Sequence, residues 1–572
     1  MILKALYDYY HKCKDNLPLY GTEYKEIGFI IVIDKDGHFK RLEDRRVDKK
    51  QAQRFLVKKS VGRTSAPIPN HLYDNSAYVL GYSPKDDSGK CIKVFKDKVA
   101  EIYKAYPENP SIKALYLFYQ NFNNAALLQI QQDPLWEDVA KNLNKKYSVF
   151  SFLLEGETEI IACKKNLMKL PDNSTEKDTL QKMVCLITGE KSCVVETTTA
   201  TMIPGSQATA KLVSFQCDSG YDSYGKTKGY NAPISEEAEF AYTTALNYLL
   251  RSDSKNKFLL GNHTFLFWAS GSSESGQKAE ESLWSMLGFQ ENDDDPNRRI
   301  LQVREVFNSI YSGQLTTSLE DKFYIIGLAP NSARIAVSYW AEIPLKEFAS
   351  MILKHFYDMD IIYTRKEKKP YFGLRSILSS VTLGGKVSDV TPNLPEALVK
   401  SIFQGLPYPQ TLYSSCIRRI RAENTLGIAR AAIIKAYLNR VNENQEKLNT
   451  MLDKENKNQG YLCGRLFAVL DKIQGDANGQ RSIKERYMNA ASATPATVFA
   501  TIINLSSHHS EKLNDGRKVY FEKLKQEIVD KISAEGFPSH LDLQDQGRFF
   551  VGFYHQQQDF YIKKEELNND HE

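Results

Sequence analysis

GYDSYGKT at 220–227 matches the spacing G-x-x-x-x-G-K-[ST]. In that pattern glycines let backbone N–H groups cradle phosphates and the lysine reaches them. A strand-like run, KLVSFQC, precedes it. Such a loop also needs a helix starting at its Lys-Thr, because the helix N-terminus helps hold the phosphates. Here Lys226-Thr227 is followed by KGYNAP, and Gly229 and Pro233 break any such helix. No apolar strand ending in a metal-binding Asp follows. FIIVID (29–34) has that shape but lies far upstream and enters an Asp-Gly turn. An ATP-dependent DNA-processing enzyme using 220–227 is therefore kept as the alternative function, while the residues favour a chain that is not an enzyme.

Other reactive side chains are equally sparse in pattern. Cys185, Cys193 and Cys217 do not have the spacing of a zinc knuckle, and cysteine also serves as a small core residue. His508 and His509 are adjacent on an expected helix, where neighbours point about 100° apart and share a metal poorly. No nucleophile–base pair and no paired-carboxylate motif stands out. We expect no catalytic residue, no metal and no cofactor.

The densest charge lies between Lys40 and Arg63, with ten basic residues against three acidic. Its local charge of +7 exceeds the +5 of the whole chain. The run leads into GRTSAPIPNHLYDNSAYVLG (62–81), a polar loop. A basic face beside such a loop reads as a nucleic-acid footprint, or else as a solvated surface. A second basic stretch, 411–440, has six basic residues and one acidic.

The elements that must carry these residues follow from periodicity. The start, MILKALYDYYHKCKD, reads as an amphipathic helix with Ile2, Leu6, Tyr9, Tyr10 and Cys13 on one side. It has neither the apolar core nor the cleavage site of a signal peptide. Residues 26–40 read as a hairpin turning at Asp36-Gly37. Strands are expected at Tyr147–Leu154, Leu212–Cys217, Thr264–Ala269, Phe323–Leu328 and Ile335–Trp340. EEAEFAYTTALNYLLRS reads as a helix that Ser235 can cap. After Pro395 nearly everything has helical period, beginning with NLPEALVKSIFQG. Leu412, Cys416 and Ile420 form one stripe there, with Arg418 and Arg421 on the opposite side. Asn442–Gln459 is polar and suits a linker.

The expected fold class is α+β, a mixed α/β N-terminal body with a C-terminal all-helical bundle. Four regions are expected: 1–105 with the basic face, 106–390 as the mixed body, 391–450 as a basic helical connection, and 451–572 as the bundle. Hydrophobic residues are 42% and charged residues 25% of 572, ordinary for a folded chain. No apolar run is long enough to span a bilayer. The eight scattered cysteines, with no CxxC, read as reduced thiols in a cytoplasm.

Several segments together resemble one family. They include MILKALYDYY, PNHLYDNSAYVLGY (69–82), CLITGEKS (185–192), GSQATAKLVSF (205–215) and SYGKTKGYNAP (223–233). EFAYTTALNYLL (239–250), FYIIGLAPNSARIAVSYW (323–340), GRLFAVLDKIQ (464–474), ASATPATVF (491–499) and GRFFVGFYHQ (547–556) continue the series. Their order along the chain is similar to that of the large subunit of the subtype I-C CRISPR effector (Cascade) complex. ETTTATMIP (196–204) departs from that family's His/Lys-bearing version. The resemblance implies a non-catalytic subunit that reads the protospacer-adjacent motif in duplex DNA, helps unwind it, stabilises the R-loop and displaced strand, and helps recruit a helicase-nuclease. The implied partners are crRNA-bound backbone subunits, a crRNA-processing subunit and a small subunit. The family also makes its helical C-terminal region separately from an internal start, for which Met451 is suitably placed. A purely structural scaffold subunit is the remaining alternative.

Guide pairing supplies sequence specificity in such complexes, so the protein needs only a short motif and the phosphate backbone. Lys58, Lys59 and Arg63 are then the candidates for phosphate contacts. Asn70 and Asn75 suit base edges, or else local turns. Gln207 is a candidate for contact or wedging. Arg418, Arg419 and Arg421 suit the displaced strand, or else ordinary ion pairs. In the C-terminal product, Arg465, Arg481, Lys484 and Arg486 are expected along the nucleic acid.

Overall fold

The computed structural model describes residues 1–562, apart from 50, 62–66, 84–88, 146, 169–181, 217–221, 223, 252, 287–295, 365–371, 443–446 and 480–481. The chain forms two compact units. The first holds Leu3–Thr199 and Phe215–Leu246, and the second Ala200–Ser214 and Asn247–Glu572.

The first unit contains strands β1 (Thr22–Glu26), β2 (Phe29–Ile33), β3 (Phe39–Asp44), β4 (Arg54–Lys58), β5 (Tyr73–Asp74), β6 (Phe150–Leu154), β7 (Lys182–Val184) and β8 (Lys191–Cys193). The main sheet has the order β3-β2-β6-β5, while β1 pairs with β4 and β7 with β8. β2 is FIIVI and β6 is FSFLL, and every residue of both is buried. They pair in parallel from Phe29↔Phe150 to Ile33↔Leu154. A strand covered on both faces needs a near-continuous apolar run, and the one polar residue, Ser151, donates its hydroxyl to the Leu72 carbonyl at 3.0 Å. The expected hairpin is β2–β3. Asp34 accepts the N–H groups of Asp36 and His38 at 3.0 and 2.9 Å, and Gly37 turns with φ +84°. A side chain at Gly37 would meet the Phe118 nitrogen, so the turn also seats the hairpin on the helix Pro110–Gln120. That helix starts with Asn109 accepting from Ser111 and Ile112, and buries Ile112, Leu115 and Phe118 beneath the sheet. Ser235 accepts the Ala238 N–H at 3.2 Å, as expected for the helix Glu236–Leu249.

The second unit contains an antiparallel sheet of β9 (Lys257–Leu260), β10 (His263–Ala269), β11 (Lys322–Asn331) and β12 (Arg334–Pro344), in the order β12-β11-β10-β9. Leu212–Cys217 is not a strand over its described residues. Only Lys211 bridges Arg334, because no neighbouring strand continues the ladder. From Leu394 onward the described regular structure is helical. Pro395 lies in the first turn of Leu394–Phe403, and Gly405 follows it at φ +66°. One hydrophobic core runs from Phe258 through Tyr413 and Ile434 to Tyr554. The fold is thus α+β, with a mixed N-terminal region and a helical C-terminal one.

In the polar stretch before Gln459, Leu448 is buried, and Asn439 both accepts its N–H and donates to its carbonyl, at 2.8 and 2.9 Å. Asn458 caps the helix Gln459–Asn478. Among the described residues no helix is long and apolar enough to cross a membrane.

Candidate nucleic-acid interface

Lys58 ends β4, opposite Thr22 of β1, and both Lys58 and Lys59 are half-buried. The loop that follows is tied back onto this strand end. Tyr73 donates its hydroxyl to the Lys58 carbonyl at 2.9 Å, and Asn70 accepts the Val61 N–H at 3.0 Å. The structure therefore ties Asn70 to the strand end that carries Lys58 and Lys59, while Asn75 follows the short strand Tyr73–Asp74. Arg63 lies outside the described residues.

These residues are engaged to different degrees. Asn70 is buried, with its carbonyl on Val61 and its N–H on the Asp74 carboxylate at 2.9 Å. Asn75 is exposed and caps the short helix Ser76–Val79, accepting from Ala77 and Tyr78. The Lys59 ammonium lies 5.3 Å from the centre of the Phe240 ring and 3.2 Å from the Thr199 hydroxyl. Sequence reasoning missed Glu23, a carboxylate at the foot of this face. It accepts from the Ser60 N–H at 3.1 Å and lies 3.2 Å from the Tyr73 hydroxyl oxygen. The alternation TEYKE in β1 was the available signal. His71 is buried, with Nε2 2.9 Å from the Leu167 carbonyl. Burial lowers its pKa to about 4, helped by the Lys58 ammonium, so it is neutral at pH 7.

The local charge of +7 overstates the basicity of the face. Lys40 pairs with Asp34 at 3.0 Å, and Arg41 and Arg45 both pair with Glu43 at 2.6 Å. Arg46 pairs with Asp44 and Asp138, and Arg54 with Glu26 at 3.6 Å. Asp34, Asp138 and Glu26 lie outside the 40–63 window, so a tally within the window omits them.

The other candidates lie in the second unit. Gln207 is exposed on the loop Ile203–Ala210, with its N–H on the Ser332 carbonyl at the β11–β12 turn, 3.2 Å away. Arg418, Arg419 and Arg421 lie on the helix Gln410–Glu423. Arg418 is exposed and bonds Ser415 at 3.1 Å. Arg419 pairs with Glu423 of its own helix. Arg421 is not on a free outer face: it donates to Gln546 at 2.6 Å, because the helix Leu543–Asp559 packs there. Arg465 is completely buried, which corrects its expected place along nucleic acid. Lys484 is half-buried and Arg486 exposed, while Arg481 lies outside the described residues.

In the 220–227 segment, residues 220, 221 and 223 lie outside the described residues. Tyr224 and Gly225 have φ of +52° and +72°, and Lys226-Thr227 leads into a four-residue 3-10 turn, Lys228–Asn231. No α-helix begins at the Lys-Thr. Cys185 is buried in the β7–β8 hairpin. Burial raises its thiol pKa, but the N–H groups of Ser235, Thr188 and Ile187 and the Thr188 hydroxyl outweigh this and bring it to about 7. Cys217 lies outside the described residues. His508 and His509 sit in the last turn of the helix Pro495–Ser510. Among the described residues one group of three metal-capable side chains lies within reach of one another, Asp34, Asp36 and His38 in the β2–β3 turn. There Asp34 already accepts two turn N–H groups and pairs with Lys40.

The geometry is thus that of a two-unit chain with Lys58 and Lys59 at a strand end of the first unit and a long helical C-terminal region in the second. Residues 6–561 match the family model of the CRISPR-associated protein Cas_Csd1, and the chain belongs to that family, the large subunits of the subtype I-C effector. No curated protein matches it. Membership makes the chain a component of a multi-subunit CRISPR complex.

Proposed function

We propose that the chain is the non-catalytic large subunit of a crRNA-guided surveillance complex acting in the cytoplasm. In this reading it recognises a short protospacer-adjacent motif in duplex DNA and helps to unwind it. It then stabilises the R-loop and helps to recruit a separate helicase-nuclease. Its neighbours are crRNA-bound backbone subunits, a crRNA-processing subunit and a small subunit. The observation that carries the reading is the family match over residues 6–561. The loop strapped onto the end of β4 at Lys58 supports a motif-reading face, with Asn75 exposed one residue beyond its short strand Tyr73–Asp74. The 3-10 turn after Lys226-Thr227 supports a role without nucleotide hydrolysis.

The test is binding of motif-bearing duplexes to the assembled complex with and without this chain, read by electrophoretic shift across a panel of motifs. Motif discrimination that requires the chain is expected. Equal discrimination in its absence would reduce it to a scaffold. ATP hydrolysis abolished by Lys226→Ala would replace the reading with the enzymatic one.

A further inference from the structure

The C-terminal helices of the second unit enclose an open pocket of about 410 Å3, lined by Lys472, Arg517, Tyr520, Phe521, Phe560 and Tyr561. Lys472 comes from the helix Gln459–Asn478, and Arg517, Tyr520 and Phe521 from the helix Asp515–Val529. Phe560 and Tyr561 follow the helix Leu543–Asp559. Phe521 is 1% exposed and anchors the floor in the core, with Tyr520 edge-on at 5.2 Å and Phe560 at 6.3 Å. Tyr520 and Tyr561, by contrast, are 49% and 54% exposed.

Two cations stand at this aromatic rim. The Lys472 ammonium is 5.4 Å from the Tyr561 ring centre, and the Arg517 guanidinium is 5.4 Å from that of Phe521. Both also pair with Asp476, Lys472 at 2.9 Å. Lys472 and Arg517 share this one carboxylate, while the carboxylates of Asp559 and Glu527 act on Tyr520. Half-exposed rings for stacking, with cations close by for phosphate, are the two requirements for holding a base of single-stranded nucleic acid; Lys472 lies over one face of Tyr561 and so leaves only its other face for a base. An acidic peptide would use the cations and leave the rings idle, and an apolar segment would leave the cations unsolvated.

We propose that this pocket takes one unstacked nucleotide of a single strand, its base against Tyr520 and Tyr561 and its phosphate toward Lys472 and Arg517. The inference rests on the reading of the chain as a nucleic-acid-binding subunit, but uses a site separate from the motif-reading face.

The test is binding by the full chain of fluorescein-labelled single-stranded DNA and RNA oligonucleotides of about twelve nucleotides, read by anisotropy. Tyr520→Ala with Tyr561→Ala should weaken binding about fivefold or more, whereas the paired Phe variants should bind as the unaltered chain does. A Cβ at Gly516, also in the lining, meets nothing nearer than Asn514 at 3.8 Å, so Gly516→Glu is accommodated at its Cβ and, by setting a carboxylate in the pocket, should also weaken binding. The DNA and RNA arms decide whether the strand is displaced target or guide. Unchanged affinity in the double Ala variant and in Gly516→Glu overturns the proposal, as does absence of strand binding by the unaltered chain. Motif discrimination by the assembled complex, measured on the same preparation, is independent of this site and stands or falls separately.

Discussion

Arg465 donates from Nε to the Gln556 side-chain oxygen at 3.0 Å, with both residues withdrawn from solvent. Its Nη2 reaches Glu527, also at 3.0 Å. This bond joins GRLFAVLDKIQ to GRFFVGFYHQ, segments far apart in the chain that together form one tight helix pair. Glycines on both helices allow the approach. A Cβ at Gly464 would overlap the Phe549 carbonyl oxygen, and one at Gly552 the Tyr461 carbonyl oxygen.

Arg465→Ala removes the cation from a buried polar cluster and should cost about 3 kcal/mol or more of stability. Gly464→Ala forces the helices apart and should cost about 1–3 kcal/mol. Lys141→Ala, at the exposed pair with Glu137, should leave stability unchanged. Urea unfolding of the full chain measures all three. Unaltered midpoints for Arg465→Ala and Gly464→Ala would contradict the packing described.

The two asparagines of the 67–75 loop should separate cleanly. Asn70→Ala frees the Val61 N–H and should lower stability by about 1–3 kcal/mol, weakening duplex binding equally for every motif. Asn70→Asp keeps the acceptor but sets a second buried carboxylate beside Asp74, so it should not recover the loss at pH 7. Asn75→Ala removes only a cap, at about 1 kcal/mol, so any change in motif preference marks a base contact. Electrophoretic shifts across the motif panel, beside thermal unfolding, give both readings.

His71 makes stability depend on pH in one direction. Its pKa falls from 6.5 to about 4 on folding, so between these values the unfolded chain binds the proton and the folded chain does not. Stability is complete above about pH 6.5 and is lost as pH falls toward 4, with a loss from this group of roughly 2 kcal/mol at pH 5. His355 and His555, each lowered by burial to about 3, act in the same sense. Denaturant midpoints at pH 7.5 and pH 5 should differ less in His71→Asn than in the unaltered chain. An identical pH slope in both would remove His71 from the account.

A product starting at Met451 would keep the helix pair but lose the partners of its outer side. Tyr413 donates to the Leu543 carbonyl, and a Cβ at Gly547 would meet Tyr413 and Ile434. Without residues 1–450, that face of Leu543–Asp559 is bare. Expression of the untagged gene should yield a second mass beginning at or near Met451, and the isolated product should self-associate through the bared face. Absence of any C-terminal product alongside a functional complex would exclude it, and a strictly monomeric product would exclude the bared face.

The sequence by itself determined the elements whose signals are local. The alternation and turn chemistry of 26–40, the cap at Ser235 and the Pro395–Gly405 punctuation each act through neighbours a few residues away, and each is found in the structure. The ordered family segments were legible for a related reason, since they are read as strings. Long-range pairing was not legible. KLVSFQC has strand-like residues but over its described residues makes only the single bridge at Lys211, and the basic run met carboxylates from Asp34, Glu26 and Asp138 that no local tally contains.

Which cations are free to meet a ligand depends on how the helices pack. Arg465 carries the same side chain as Arg418, yet one is sealed between three helices and the other faces solvent. Charge is fixed by residue type, but burial and the distance to an opposite charge depend on segments brought together from remote parts of the chain. The pocket beside Tyr520 and Tyr561 arises in the same way, because its rings and cations come from three separate stretches that are adjacent only after the helices have packed.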